Sequence, residues 1–347
     1  MLKPKPLAQG DKVAAITLSW GGPGMFPHRY EAGKKQLQDA FGLKIVETRH
    51  ALKDADWIYK NPRARADDLM EAFADPSIKA IISTIGGDES VRILPFLDLK
   101  TIQQNPKIFL GYSDTTVTHF ACFKAGLTSF YGPSFMAGFA ENGGMFHYMK
   151  QSVQRTLFST EPVGLIPNNT DGWTVEHLDW ANPEFQDTKR KLRLPTGPQI
   201  LQGQGVARGH LIGGCAEVLE MLKGTEYWPT AEIWKGAILF LETSEEAPDV
   251  TIFERWIRNY GSQGILQSLN GIIMGRPGGQ LSDEDLFKYD KALLKIVRDE
   301  LGFVDLPIMT QMDFGHTDPM FIIPYGVQAE IDCLANKFSI LEAGVSA

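Results

Sequence analysis

Three polar residues stand at the ends of apolar runs: Ser113 after IFLGY, Glu242 at the end of AILFL, and His316 after IMTQMDFG. Their types suit acyl transfer. A serine hydroxyl is a weak nucleophile until an adjacent imidazole takes its proton. The imidazole needs an acid on its other nitrogen, to fix its tautomer and stabilise the imidazolium. Geometry and not chain order defines such a set, so Ser, Glu, His is an acceptable order. On a strand-to-helix elbow at Ser113, the amide of Asp114 would point toward the developing oxyanion. A second donor is available in the turn IGGD, where Gly87 lets the backbone approach closely.

Each residue also has an ordinary reading. Ser113 suits the N-cap of the following helix, as do Asp114 and Thr115. Glu242 suits a solvated strand end, with Glu245 and Glu246 close by as substitutes. Six other histidines compete with His316. His28, His50, His119, His147 and His177 fall in helical or loop contexts that suggest the surface. His210 ends the strand GVARGH and is the serious rival for the base.

The elements that must position these residues alternate. Strands are expected at 12–19, 43–48, 78–87, 107–113 and 127–132, with helices near 28–41 and over PRARADDLMEAFAD. That alternation implies a parallel sheet with helices on both faces, where ligands bind outside the carboxyl ends of the strands. The rhythm breaks over about 160–200, a Pro-, Asn-, Asp- and Gly-rich stretch carrying Trp173 and Trp180. Beyond it, strands are expected in GVARGHLIGG, at 235–243, at 270–277 and in LPIMTQMDFGH. A helix capped by Ser282 and a terminal hairpin around ANK complete the chain.

At 347 residues the chain suggests two domains, on a prior of ~150 residues each. We expect an N-terminal domain at 1–160 carrying the serine, a crossover at 161–200, and a C-terminal domain at 201–347 carrying the glutamate and histidine. The net charge of −8 disfavours nucleic acid as a partner, and the one basic run, KRKLR at 189–193, reads as a solvated linker. No signal peptide or membrane-length apolar run is seen. Cys122, Cys215 and Cys333 are far apart and read as buried thiols, so a cytoplasmic location is expected. No zinc spacing, EF-hand or P-loop appears, so neither metal nor cofactor is expected. The segment TLSWGGPGMFPH contains Gly22-Pro23-Gly24, with Glu47 roughly where a ribose-binding acid would lie. Pro23 removes an amide and Pro27 replaces the third glycine, so a dinucleotide site is set aside.

Six motifs together resemble one family. They are IGGDES at 85–90, FLGYSDTT at 109–116, GHLIGGCAEVLEML at 209–222, LFLETSEE at 239–246, GIIMGRP at 271–277 and FGHTDPMFIIPYGVQAEID at 314–332. In this order the sequence resembles the LD-carboxypeptidases, cytoplasmic serine peptidases with a Ser-Glu-His triad. The resemblance implies Ser113 as nucleophile, Glu242 as the acid, His316 as the base in place of His210, and the amides of Gly87 and Asp114 as the oxyanion hole. It also implies an α/β fold: a Rossmann-like N-terminal domain with a parallel sheet and a C-terminal α/β domain, with the active site in the inter-domain cleft. A homodimer is the implied assembly.

The family has two main activities. One removes the terminal D-alanine of a murein tetrapeptide. The other confers immunity to microcin C by cleaving an aminoacyl-nucleotide amide. The stretch DGWTVEHLDWANPEF resembles the immunity branch, which implies that Trp180 stacks on a nucleotide base. The alternative is that Trp173 and Trp180 pin the crossover to the surface. The loop ETSEEAP departs from that branch, placing Glu245 and Glu246 where basic residues would contact the nucleotide. Murein-peptide specificity would want an arginine for the free carboxylate, and Arg276 is the candidate. A function of another class, a non-catalytic binder of a small peptide or nucleotide, is also compatible with the fold.

Overall fold

The computed structural model describes residues 1–347. The first part of the chain supplies β1 (Lys12–Ile16), β2 (Lys44–Glu47), β3 (Ile78–Ser83), β4 (Ile108–Gly111) and β5 (Phe130–Tyr131). The remainder supplies β6 (Gly164–Leu165), β7 (Gln199–Gln202), β8 (Val206–Cys215), β9 (Ile238–Glu242), β10 (Gly271–Gly275), β11 (Ile308–Met312), β12 (Ile323–Pro324), β13 (Gln328–Asp332) and β14 (Lys337–Ile340).

Two sheets result. The first has the order β12-β5-β4-β3-β1-β2 and is parallel except where β12 joins β5. The second has the order β6-β14-β13-β8-β9-β10-β11-β7, with a parallel centre from β8 to β11 and antiparallel flanks. Strands β4, β9, β10 and β11 are buried at every position. Burial on both faces is why β4, β9 and β10 read as apolar runs and not as alternating ones, while β11 also buries Thr310 and Gln311.

Helices Pro27–Phe41, Pro62–Ala74 and Thr116–Lys124 connect strands of the first sheet. The expected Ser282 cap is present, accepting from the Asp285 amide before the helix Asp283–Leu294. The terminal hairpin is β13 with β14. Residues 161–200 are not a free crossover: β6 and β7 tie its two ends to the second sheet, while β12 returns from the far part of the chain to the first. One apolar core is continuous across both sheets, including Phe109 and Tyr131 from one and Phe240 and Ile331 from the other. Cys122 and Cys215 are buried, and Cys333 is only half-buried. No helix is long and apolar enough to cross a membrane.

Candidate active site

β4 ends at Gly111, and the chain turns sharply through Tyr112 and Ser113 into a helical turn at 113–115. Ser113 has φ +62°, a left-handed conformation uncommon outside glycine. Such outliers persist only where their surroundings hold them. The serine is therefore not an N-cap, a position that takes extended dihedrals. Its hydroxyl instead lies 3.0 Å from His316 Nε2. The preceding strand makes room for this: a Cβ on Gly86 would stand 2.8 Å from the Ser113 side chain. Gly87 has φ +141°, and its N–H has no acceptor within the chain.

Glu242 is the last residue of β9 and is fully buried. His316 follows β11, in a loop brought close to Glu242 by Gly315 at φ +90°, where a Cβ would fall 2.6 Å from the glutamate side chain. The ring Nδ1 lies 2.5 Å from Glu242 Oε2. A carboxylate only accepts, so Nδ1 carries a proton and Nε2 faces the serine. Burial alone would lower the His316 pKa. The charge and hydrogen bond of Glu242 outweigh it, Glu245 and Glu217 add to them, and the pKa is pushed up to about 9. Glu245 Oε2 also sits 3.2 Å from Nε2.

Asp114 is buried, and its carboxylate accepts from the Ser90 amide at 2.7 Å. Burial raises its pKa, opposed by hydrogen bonds from Ser19 and Ser90. Only its backbone amide is available to the cleft chemistry. Cys215, Glu242 and His316 bring possible metal-ligand atoms within 4.8 Å of one another. Two of the three are already bonded to each other, and the Cys215 thiol is held well above its usual pKa by burial. This donor set fits a hydrogen-bonded line better than a metal cage, since a ligating thiol must be deprotonated.

Ser113 and His316 open into a cavity of about 740 Å³ in the cleft. Trp20, Phe26 and Trp180 supply an aromatic wall. The Arg29 guanidinium lies 4.3 Å from the Trp180 ring centroid, and Phe26 meets the ring edge-on at 6.3 Å. Trp173 is by contrast buried, between Arg193 and Arg276, and belongs to the scaffold.

Several sequence expectations are corrected. Arg276 does not line the cavity; it is 1% exposed and ion-paired with buried Asp313. Within KRKLR, Lys189, Lys191 and Leu192 are exposed, but Arg190 is not solvated: it lines the cleft and bonds Glu141 Oε1 at 2.8 Å and Asp318 Oδ2 at 2.7 Å. His119 is fully buried and bonded to Ser129 and the Gly111 carbonyl, and burial lowers its pKa to about 3. His210 is bonded to the Ile233 carbonyl, away from Ser113. Glu47 accepts from Lys34 Nζ at 2.6 Å and from the Tyr30 hydroxyl at 3.0 Å. Sequence reasoning missed Arg29 and Trp20, whose only signal was their place in the loop and helix after β1.

The fold and site together define a class: a two-domain α/β protein with a serine, an imidazole and a buried carboxylate aligned in the cleft. Comparison with known proteins narrows it. The N-terminal domain model of the LD-carboxypeptidases matches residues 13–132, and the C-terminal domain model matches residues 208–331. The chain belongs to the LD-carboxypeptidase family and is an enzyme of the peptidase class. It is 29% identical to the microcin C7 self-immunity protein MccF of Escherichia coli, over 98% of this chain and 96% of that protein. It is 27% identical to the probable murein peptide carboxypeptidase of Bacillus subtilis, over 99% and 95%. The crystal structure of an MccF-like protein from Streptococcus pneumoniae in complex with AMP superposes with a TM-score of 0.84, at 32% identity over 96% of this chain and 99% of that one.

Proposed function

We propose that this enzyme is a serine amidase that cleaves the amide between an aminoacyl group and a nucleotide-like leaving group. The observation that carries the reading is the line Ser113–His316–Glu242, opening onto the aromatic wall of Trp20, Phe26 and Trp180. His316 takes the Ser113 proton as Oγ attacks the carbonyl carbon. The amides of Gly87 and Asp114 stabilise the oxyanion. Collapse breaks the C–N bond, and His316 returns the proton to the leaving nitrogen. A water molecule, deprotonated by His316, then releases the acyl group as a carboxylic acid and restores the serine. The nucleophile comes from the unit at 1–160, and the base and acid come from the unit at 201–347. Trp180 offers the base of the ligand a stacking face, a contact worth ~1–3 kcal/mol per base.

A second reading, removal of a terminal D-alanine from a murein peptide, is favoured by the likeness to the Bacillus subtilis protein. It needs a cation for the free carboxylate. Both cleft arginines are engaged: Arg190 by Glu141 and Asp318, and Arg29 by the Met136 carbonyl and Asn142. This counts in favour of the first reading.

The test is to incubate the protein in parallel with aminoacyl sulfamoyl adenosines and with a murein tetrapeptide, following products by mass spectrometry. Release of free amino acid from the nucleoside compounds alone supports the proposal. Loss of one D-alanine from the tetrapeptide alone replaces it with the second reading.

A further inference from the structure

Tyr131, the last residue of β5, is fully buried, and no step of the proposed reaction has yet used it. Its hydroxyl touches both halves of the site. The Ser113 N–H donates to the phenol oxygen at 3.1 Å, and the phenol O–H donates to Glu242 Oε1. The directions are fixed, because an amide only donates and a carboxylate only accepts. One hydroxyl thus joins the elbow of the first sheet to the acid at the end of β9, on the second. The ring cannot easily swing away. It is paired in register with Gly111 and packed against Tyr112, His119, Phe240 and Tyr325.

We propose that Tyr131 is a positioning residue that fixes the nucleophile's left-handed elbow and the orientation of the Glu242 carboxylate at once. The inference rests on the serine mechanism above. Two consequences follow from the geometry. The Ser113 amide is already used and is not an oxyanion donor, so that task falls to Gly87 and Asp114. Glu242 Oε1 has no other hydrogen-bond partner, so loss of the hydroxyl leaves a buried carboxylate oxygen unsatisfied. The phenol proton also draws negative charge away from the face of Glu242 that holds His316. The other ionisable groups around this pair are Cys215, Glu217, Glu245, Tyr112, Tyr325 and His119, and a substitution at Tyr131 replaces none of them.

The experiment compares wild type with Tyr131→Phe by the rate of labelling with a fluorophosphonate, from neutral to alkaline pH, alongside thermal unfolding. In that reaction Ser113 Oγ bonds to phosphorus, fluoride leaves, and His316 takes the serine proton. We expect labelling slowed by about 10- to 100-fold, as for a misplaced reacting group. The rise of rate with pH should move to higher pH, because the imidazolium is better stabilised once the phenol is gone. A ring-fluorinated tyrosine in place of Tyr131 keeps the hydroxyl and strengthens its donation. It should move the rise the other way, and it provides the test if the phenylalanine variant does not fold. A Tyr131→Phe protein that labels at the wild-type rate, with the rise unmoved, overturns the proposal. So does a fluorinated protein whose rise is unmoved. Wild type that does not label at all overturns the serine mechanism itself, and the role of Tyr131 with it.

Discussion

Glu245 Oε2 lies 3.2 Å from His316 Nε2, the same nitrogen that faces Ser113 Oγ at 3.0 Å. The exposed carboxylate and the serine compete for one ring position. Glu245 is also one of the groups raising the His316 pKa. A base must be neutral to act, so activity should increase as pH rises toward about 9 and level off above it. Glu245→Gln removes one stabiliser of the imidazolium. The rise should then fall at lower pH, with faster turnover at neutral pH than wild type. The measurement is kcat/KM against pH for the two proteins.

The same carboxylate bears on substrate choice. It stands beside the reacting centre, and Arg190 of the same cleft is ion-paired with Glu141 and Asp318, so a negatively charged acyl side chain is repelled near Glu245 and a positively charged one attracted. Lysyl sulfamoyl adenosine should be cleaved with a higher kcat/KM than the aspartyl compound. Glu245→Lys should reverse the order. Equal rates for both compounds in both proteins would remove Glu245 from the account of specificity.

Trp180→Ala should raise KM for a nucleoside-bearing substrate with little change in kcat. Loss of one stacking platform, at ~1–3 kcal/mol, corresponds to roughly 5- to 150-fold. A short peptide substrate without a base should be unaffected. Steady-state kinetics on the two substrates separate a binding platform from a residue that only fastens the loop.

Arg276 should act on stability and not on binding. Arg276→Met leaves Asp313 as an uncompensated buried charge, and breaking such a pair typically costs ~3–5 kcal/mol. Urea unfolding should show that loss, while KM for the folded fraction stays near wild type. A raised KM with unchanged stability would return Arg276 to substrate binding.

The parts legible in the sequence are those set by local pattern. Apolar runs marked β4 and β9, and the mostly apolar stretch LPIMTQM marked β11; the polar residues ending or following them were Ser113, Glu242 and His316. The Ser282 cap and the terminal hairpin follow from spacing in the same way. What stayed hidden depends on partners distant in the chain. Arg190 looked solvated because nothing near it in sequence reveals Glu141 or Asp318. His119 looked exposed because Tyr325, whose ring stacks on it, comes from the far end of the chain. Tyr131 gave no signal, since its link to Glu242 spans 111 positions. Arg276 sits beyond a strand end, as a ligand-binding residue would, yet it turns inward to Asp313.

The most direct measurement is the site of covalent modification. Wild type, Ser113→Ala and His316→Ala are treated with a fluorophosphonate, and the adduct is mapped by peptide mass spectrometry. The account predicts one adduct, on Ser113, absent from Ser113→Ala and slowed on the order of 10³-fold or more in His316→Ala. An adduct on another residue, or an unmodified Ser113 in a folded wild-type protein, would contradict it.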